Sequence, residues 1–172
     1  IKKNNEIQKF NLNYFQDKNK LYDEVAKLIL KNNIIGFFND KMEFGARALG
    51  NRSILANPCS DKIQDIINSK IKKRELFRPF APAILLEKKN EWFDNTLSNP
   101  YMSAVESINF DKRELIPAVT HVDGTGRVQT VTKEMNSDFY LLIQKFNQLS
   151  NVPILLNTSF NENEPIVMSP KH

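Results

Sequence analysis

Cysteine is nearly absent from this chain: Cys59 is the only one among 172 residues. A lone thiol excludes an intramolecular disulfide and any cysteine-built metal site. Its Asn-Pro-Cys-Ser setting also lacks a basic neighbour to lower its pKa, so no catalytic thiolate is expected. Histidine is almost as scarce. His121 and His172 are the two in the chain, which argues against a three-histidine or His-Glu-His metal centre. No apolar run approaches the ~20 residues that span a bilayer, and no signal peptide opens the sequence. A cytoplasmic protein without a membrane partner is the expectation. The GxxxxGK[ST] loop, the GxGxxG turn and the GxSxG serine elbow are all missing.

What is present suits a folded domain. Apolar residues make up 41% and charged residues 26%, ordinary globular usage. The length fits one domain with, at most, a short amino-terminal arm. Net charge is +4, but its distribution says more than its size. Arg47 and Arg52 share one segment, and Lys70, Lys72, Lys73, Arg74 and Arg78 crowd the next. Such clusters suit an anionic partner, either a nucleotide or a nucleic acid. The chain starts at Ile1 without methionine and stops at His172, and a fragment of a longer protein is expected.

Residues 1–17 are polar and read as an arm or linker, leaving 18–172 as the domain. Leu21, Val25, Leu28 and Ile29 recur at helical spacing, predicting a helix over 19–33 that stops at Asn32-Asn33. Strands are expected at 34–38, 53–56, 83–86, 101–107, 118–120, 127–131 and 153–156. Ser60 is expected to cap a helix running to Lys70, and short helical turns to cover 89–93. Another helix is predicted over 137–150, with Phe139, Leu142, Ile143 and Phe146 inward. The fold class is therefore α/β (α+β): a twisted, mixed sheet covered by helices.

Four polar segments border these strands. In 41–53 the glycines allow close backbone approach, and Arg47 and Arg52 offer forked donors for phosphate oxygens. The competing reading is a loop whose arginines pair with Glu43. In 70–82, Arg78 stands between Phe77 and Phe80 and reads as a ligand group, whereas Lys72 and Lys73 read as a solvated helix end. In 120–131, Thr120, His121 and Arg127 flank an Asp-Gly turn. His121 is open as proton shuttle, phosphate donor or structural histidine. Asn157, Ser159 and Asn161 follow a buried strand, where ligands of open α/β sheets bind, or else they form a turn that satisfies itself. Asp123 and Glu43 are open to holding magnesium through water.

The segments KMEFGARALGNRSIL, FRPFAPAIL, IPAVTHVDGTGRVQTV and PILLNTSFNENEPIV occur in one order from residue 41 to 167. That series resembles the carboxy-terminal domain of the NodU/CmcH-type carbamoyltransferases, over nearly everything from Ile34 onward. The resemblance implies a YrdC-like domain that binds ATP with Mg2+ and carbamoyl phosphate and forms carbamoyl-adenylate. It also implies an amino-terminal transferase domain, absent from this chain, that holds an iron-type metal site and passes the carbamoyl group to a hydroxyl acceptor. Arg47, Arg52, Arg78, Arg127 and His121 are the implied catalytic set. Lys41, Gly45, Asn51, Ser53, Thr120, Asn157, Ser159 and Asn161 are the implied binding set, with no metal ligands in this chain. Ala46 stands where the family has proline, and Asn163 where it has glycine. Neither change removes a proposed ligand. Nucleic acid is the less favoured partner, because the arginines lie among Gly, Pro and Asn rather than with stacking aromatics.

Overall fold

The computed structural model describes residues 11–169. The expected arm lies mainly outside these residues; its described part, 11–17, is exposed and forms neither helix nor strand. Helix α1 spans Lys18–Leu30, and its N-cap Asp17 accepts the Asn19 amide. Tyr22, Ala26 and Ile29 form its buried face. That face is turned slightly from the predicted one: Leu21 and Val25 lie at its edge and Leu28 is exposed. Asn32, at φ 64°, takes the left-handed conformation that ends the helix.

The principal sheet has five strands. They are β1 (Ile35–Phe38), β2 (Arg52–Ala56), β3 (Ala81–Leu85), β6 (Gln129–Val131) and β7 (Ile154–Ser159), in the order β1-β2-β7-β3-β6. β7 is antiparallel to both its neighbours, and β3 and β6 are parallel, so the sheet is mixed as expected. A separate two-residue pair joins β4 (Glu106–Ser107) to β5 (Thr125–Gly126). Helix α3, Ser137–Ser150, packs on α1 and buries the four predicted residues Phe139, Leu142, Ile143 and Phe146. Gly50, at φ 100°, lies under Phe139, where a Cβ would come within 2.2 Å of the ring. No helix among the described residues is long and apolar enough to cross a membrane.

Several local expectations are corrected. Residues 118 and 119 belong to a 3-10 turn over Pro117–Val119, where Pro117 supplies the first helical position and Thr120 is the C-cap. The 101–107 strand shrinks to Glu106–Ser107, because Met102 takes a left-handed backbone at φ 55°. Ser60 caps nothing: helix α2 begins at Ile63 and covers only Ile63–Ile66. It runs on as a π-helix over Ile67–Lys72, ended by Lys73 at φ 46°. The wider turn carries Asn68 and Lys72 inward, where α-helical spacing would put other residues. β3 starts two residues earlier than expected, and β7 runs three residues further.

A buried ion pair fastens the irregular middle of the chain. Lys89 and Glu106 are almost fully enclosed and meet at 2.6 Å. Asn99 donates to Glu106 Oε1, and Lys89 also donates to the Leu97 carbonyl. Breaking such a pair by removing one partner strands a buried charge. Lys89→Met alone should lower unfolding stability by about 3–5 kcal/mol, while the Lys89→Met, Glu106→Leu double variant should recover most of it. Denaturant titration of the three proteins measures this.

Candidate functional site

Because β7 opposes β2 and β3, its carboxyl end lies beside their amino ends. Asn157 faces both Leu55 and Ala81, and Ser159 faces Ser53. β6, parallel to β3, presents its amino end on the same side. The loops that precede β2, β3 and β6 therefore meet the end of β7. All four polar segments of the sequence are drawn to one edge of the sheet.

A cavity of about 310 Å³ opens there. Arg47, Arg74, Arg78 and Arg127 line it with His121, Asn157 and Ser159, and Phe80 and Met102 supply apolar wall. No carboxylate belongs to the lining. Arg47 and Arg127 have no hydrogen-bond or ion-pair partner among the described residues. Arg78 reaches only an exposed, loose contact with Glu75 at 3.8 Å. Arg74 is fixed more firmly: Asn68 Oδ1 accepts from its Nε at 2.7 Å, and its guanidinium lies over Phe80. Burial, and then the nearby Arg78, push the Arg74 pKa down. Four arginines lining one space bring like charges together, as the effect of Arg78 on Arg74 shows, and a polyanion in that space would relieve the repulsion.

His121 sits at the rim, half-buried, with its pKa lowered chiefly by burial and also by Arg127, against the opposing pull of Asp123. It is therefore largely neutral at pH 7. Thr125 Oγ1 donates to Asp123 Oδ1 at 2.7 Å and lies 3.1 Å from His121 Nδ1. With its proton given to Asp123, the hydroxyl accepts from Nδ1–H, which assigns the free lone pair to Nε2.

The remaining predicted residues divide into supports and bystanders. Arg52 is buried beneath the loop: it donates to the carbonyls of Asn39, Asp40 and Asn51, and stacks on Phe38 at 3.5 Å. It is outside the cavity lining. Glu43 pairs with no arginine; its Oε1 accepts the amides of Leu49, Asn51 and Arg52 and curls the Arg47 loop. Asn51 accepts from Asn136, and Ser53 accepts the Gly50 amide. Thr120 donates into the Arg113 and Ile116 carbonyls. Lys41 and Gly45 are exposed and lie outside the cavity. Asn161 accepts from Ser159 Oγ at 2.6 Å. Among the described residues no three His, Cys, Asp or Glu side chains gather into a metal site.

Lys72 corrects the sequence reading of a solvated helix end. Its residue is 3% exposed, and Nζ donates to Ser159 and Asn161, through both backbone carbonyls and side-chain oxygens. Lys73 does remain exposed, paired with Glu162 at 2.7 Å. Lys72 thus lies directly behind the cavity-lining Ser159, a placement that only the π turn produces. Burial, helped by Arg74 and opposed by Glu164, brings its pKa down to about 8. The unfolded chain holds that proton up to the usual lysine range. The cost of the buried charge is therefore full below pH 8 and is relieved as pH rises toward 10. Measured against Lys72→Met, the native protein should gain unfolding stability between pH 8 and 10 and show a flat difference below pH 7.

Comparison with known proteins agrees with the motif order. The family model described as carbamoyltransferase C-terminus matches residues 26–172. Nodulation protein NolNO of Sinorhizobium fredii is 49% identical over 148 residues, covering 84% of this chain and 22% of that protein. Nodulation protein NolO of Bradyrhizobium diazoefficiens is 44% identical over 158 residues, covering 90% and 29%. Nodulation protein U of the same organism is 38% identical over 138 residues, covering 80% and 24%. The chain thus spans less than a third of the length of these relatives. The match of the family model over most of its length and the ordered arginine, histidine and asparagine motifs place the chain in the carbamoyltransferase C-terminus family.

Proposed function

We propose that this domain binds ATP and carbamoyl phosphate and forms carbamoyl-adenylate, from which a hydroxyl acceptor then takes the carbamoyl group as AMP leaves. The observation that carries this reading is the cavity with four guanidiniums and no carboxylate in its lining. Two polyanions brought together repel, and fixed cations offset that repulsion without reorganising as charge moves.

Atom balance sets the order of steps. Water first divides carbamoyl phosphate into carbamate and inorganic phosphate. A carbamate oxygen then attacks the α-phosphorus of ATP, and pyrophosphate leaves with the electron pair of the broken P–O bond. Arg47, Arg78 and Arg127 are assigned to the shifting phosphate charge, with Arg74 as a fourth, better-fixed cation. His121, neutral with Nε2 as acceptor, is suited to take a proton from the attacking water. Lys72, Ser159 and Asn161 shape the wall behind the anions. Magnesium would be held by the nucleotide rather than by this chain, whose cavity lining offers no carboxylate, and would supply charge that neutralises the phosphates. Transfer to the acceptor is assigned to an amino-terminal transferase domain of a longer polypeptide, which would also bind the acceptor.

Calorimetric titration with ATP and magnesium, with and without carbamoyl phosphate, tests the reading. Arg47→Ala and Arg127→Ala should each weaken binding by roughly tenfold or more, the loss of one charge-assisted contact. In the full-length enzyme, exchange of labelled pyrophosphate into ATP should require carbamoyl phosphate or carbamate. Exchange without either, or none with both, would sink the adenylation step.

A further inference from the structure

Asn157 occupies the centre of the sheet edge that forms the cavity floor, and it is 1% exposed. Its Nδ2 is fully engaged, donating to the Ala48 carbonyl at 3.0 Å and to Gln129 Oε1 at 2.8 Å. Gln129 is itself oriented, since its Nε2 donates to the Leu49 carbonyl at 2.9 Å. Turning the Asn157 amide over would set oxygen against two acceptors, so the network fixes which end is which. The other end, Oδ1, is buried and has no protein partner. A desolvated acceptor of this kind costs free energy until an N–H or O–H reaches it.

The surrounding chemistry narrows what that donor is. The four arginines of the cavity can only donate, and they call for anionic oxygen. Ser159 Oγ is already committed to Asn161 and Lys72. Asn157 thus brings an unpartnered amide acceptor to a cavity lined by cations. The complementary ligand carries negative oxygens at one end and an N–H donor at the other. Carbamoyl phosphate has that pattern, with a phosphate and an amino group separated by one carbon.

We propose that Asn157 is a specificity-determining residue: Oδ1 accepts from the carbamoyl amino group and selects it over acyl phosphates that lack one. This rests on the carbamoyl phosphate reading of the site and adds the group that recognises nitrogen. A methyl group in place of the amino group, as in acetyl phosphate, leaves the phosphate contacts intact but strands Oδ1 without a partner.

The test compares carbamoyl phosphate with acetyl phosphate in the full-length enzyme, by calorimetric competition. The native protein should prefer carbamoyl phosphate by roughly tenfold to a hundredfold, the range for stranding one buried acceptor. Asn157→Leu, close in volume, should bring the two affinities to within about threefold. Equal affinities in the native protein would overturn the assignment of Oδ1 and leave the anion site standing. The same is true of a preference that survives Asn157→Leu. Loss of ATP binding with the preference intact would leave Asn157 as a support of the Arg47 loop and overturn the assignment as well. Binding of neither acyl phosphate would bring down the carbamoyl phosphate reading together with this one. The native comparison needs no substitution, so the outcome does not depend on the variant folding.

Discussion

Everything at the candidate site follows from the direction of β7. It runs against both β2 and β3, so one strand end faces two strand beginnings. A parallel arrangement throughout would have sent the loops before β2 and β3 to the opposite edge, away from Asn157 and Ser159. In doubly wound sheets, ligands sit beyond the carboxyl ends of several parallel strands. Here one carboxyl end meets the approach loops of its neighbours. The arginines arrive from three separate stretches of chain, and their mutual repulsion is held by backbone pairing in the sheet core.

The supports beneath the cavity are mostly polar and mostly enclosed. Glu43 gathers three amides, Arg52 grips three carbonyls, and Asn157 and Gln129 tie the Arg47 loop to the sheet through Ala48 and Leu49. Each satisfies backbone groups that an irregular loop would otherwise leave bare. Such a network fixes geometry before any ligand arrives, which is the condition for stabilising charge without reorganisation. Two arginines five residues apart consequently do different work: Arg47 lines the cavity and Arg52 is consumed by its own loop. Burial separates them, and composition does not.

The regular elements were legible because their signals are local. The α3 stripe of Phe139, Leu142, Ile143 and Phe146 follows helical periodicity, and all four residues are buried as that spacing predicts. The apolar cores of β1, β2, β3 and β7 were equally readable, with errors at their ends. Around residues 101–126 the reading failed more often. Two-residue strands, 3-10 turns and the left-handed Met102 leave no periodic trace, and the enclosed Lys89–Glu106 pair that anchors the short strand at Glu106 joins residues distant in sequence. Lys72 escaped for a related reason. A π turn changes which positions face inward, and the residues that make it, Ile67 to Lys72, look like an ordinary helix end.

The sequence alone determined the family, through motifs whose order and spacing are linear properties of the chain. It also determined the main helices and strands, and that anion-binding groups crowd four short segments. Tertiary structure alone decided which of those groups share a space. Arg47, Arg74, Arg78 and Arg127 face one cavity, while Arg52 and Thr120 turn into their own backbones. It also decided that Lys72 is enclosed and that one end of Asn157 lacks a partner. Burial and hydrogen-bond satisfaction depend on neighbours contributed by distant parts of the chain, and those neighbours are set only when β7 closes the sheet.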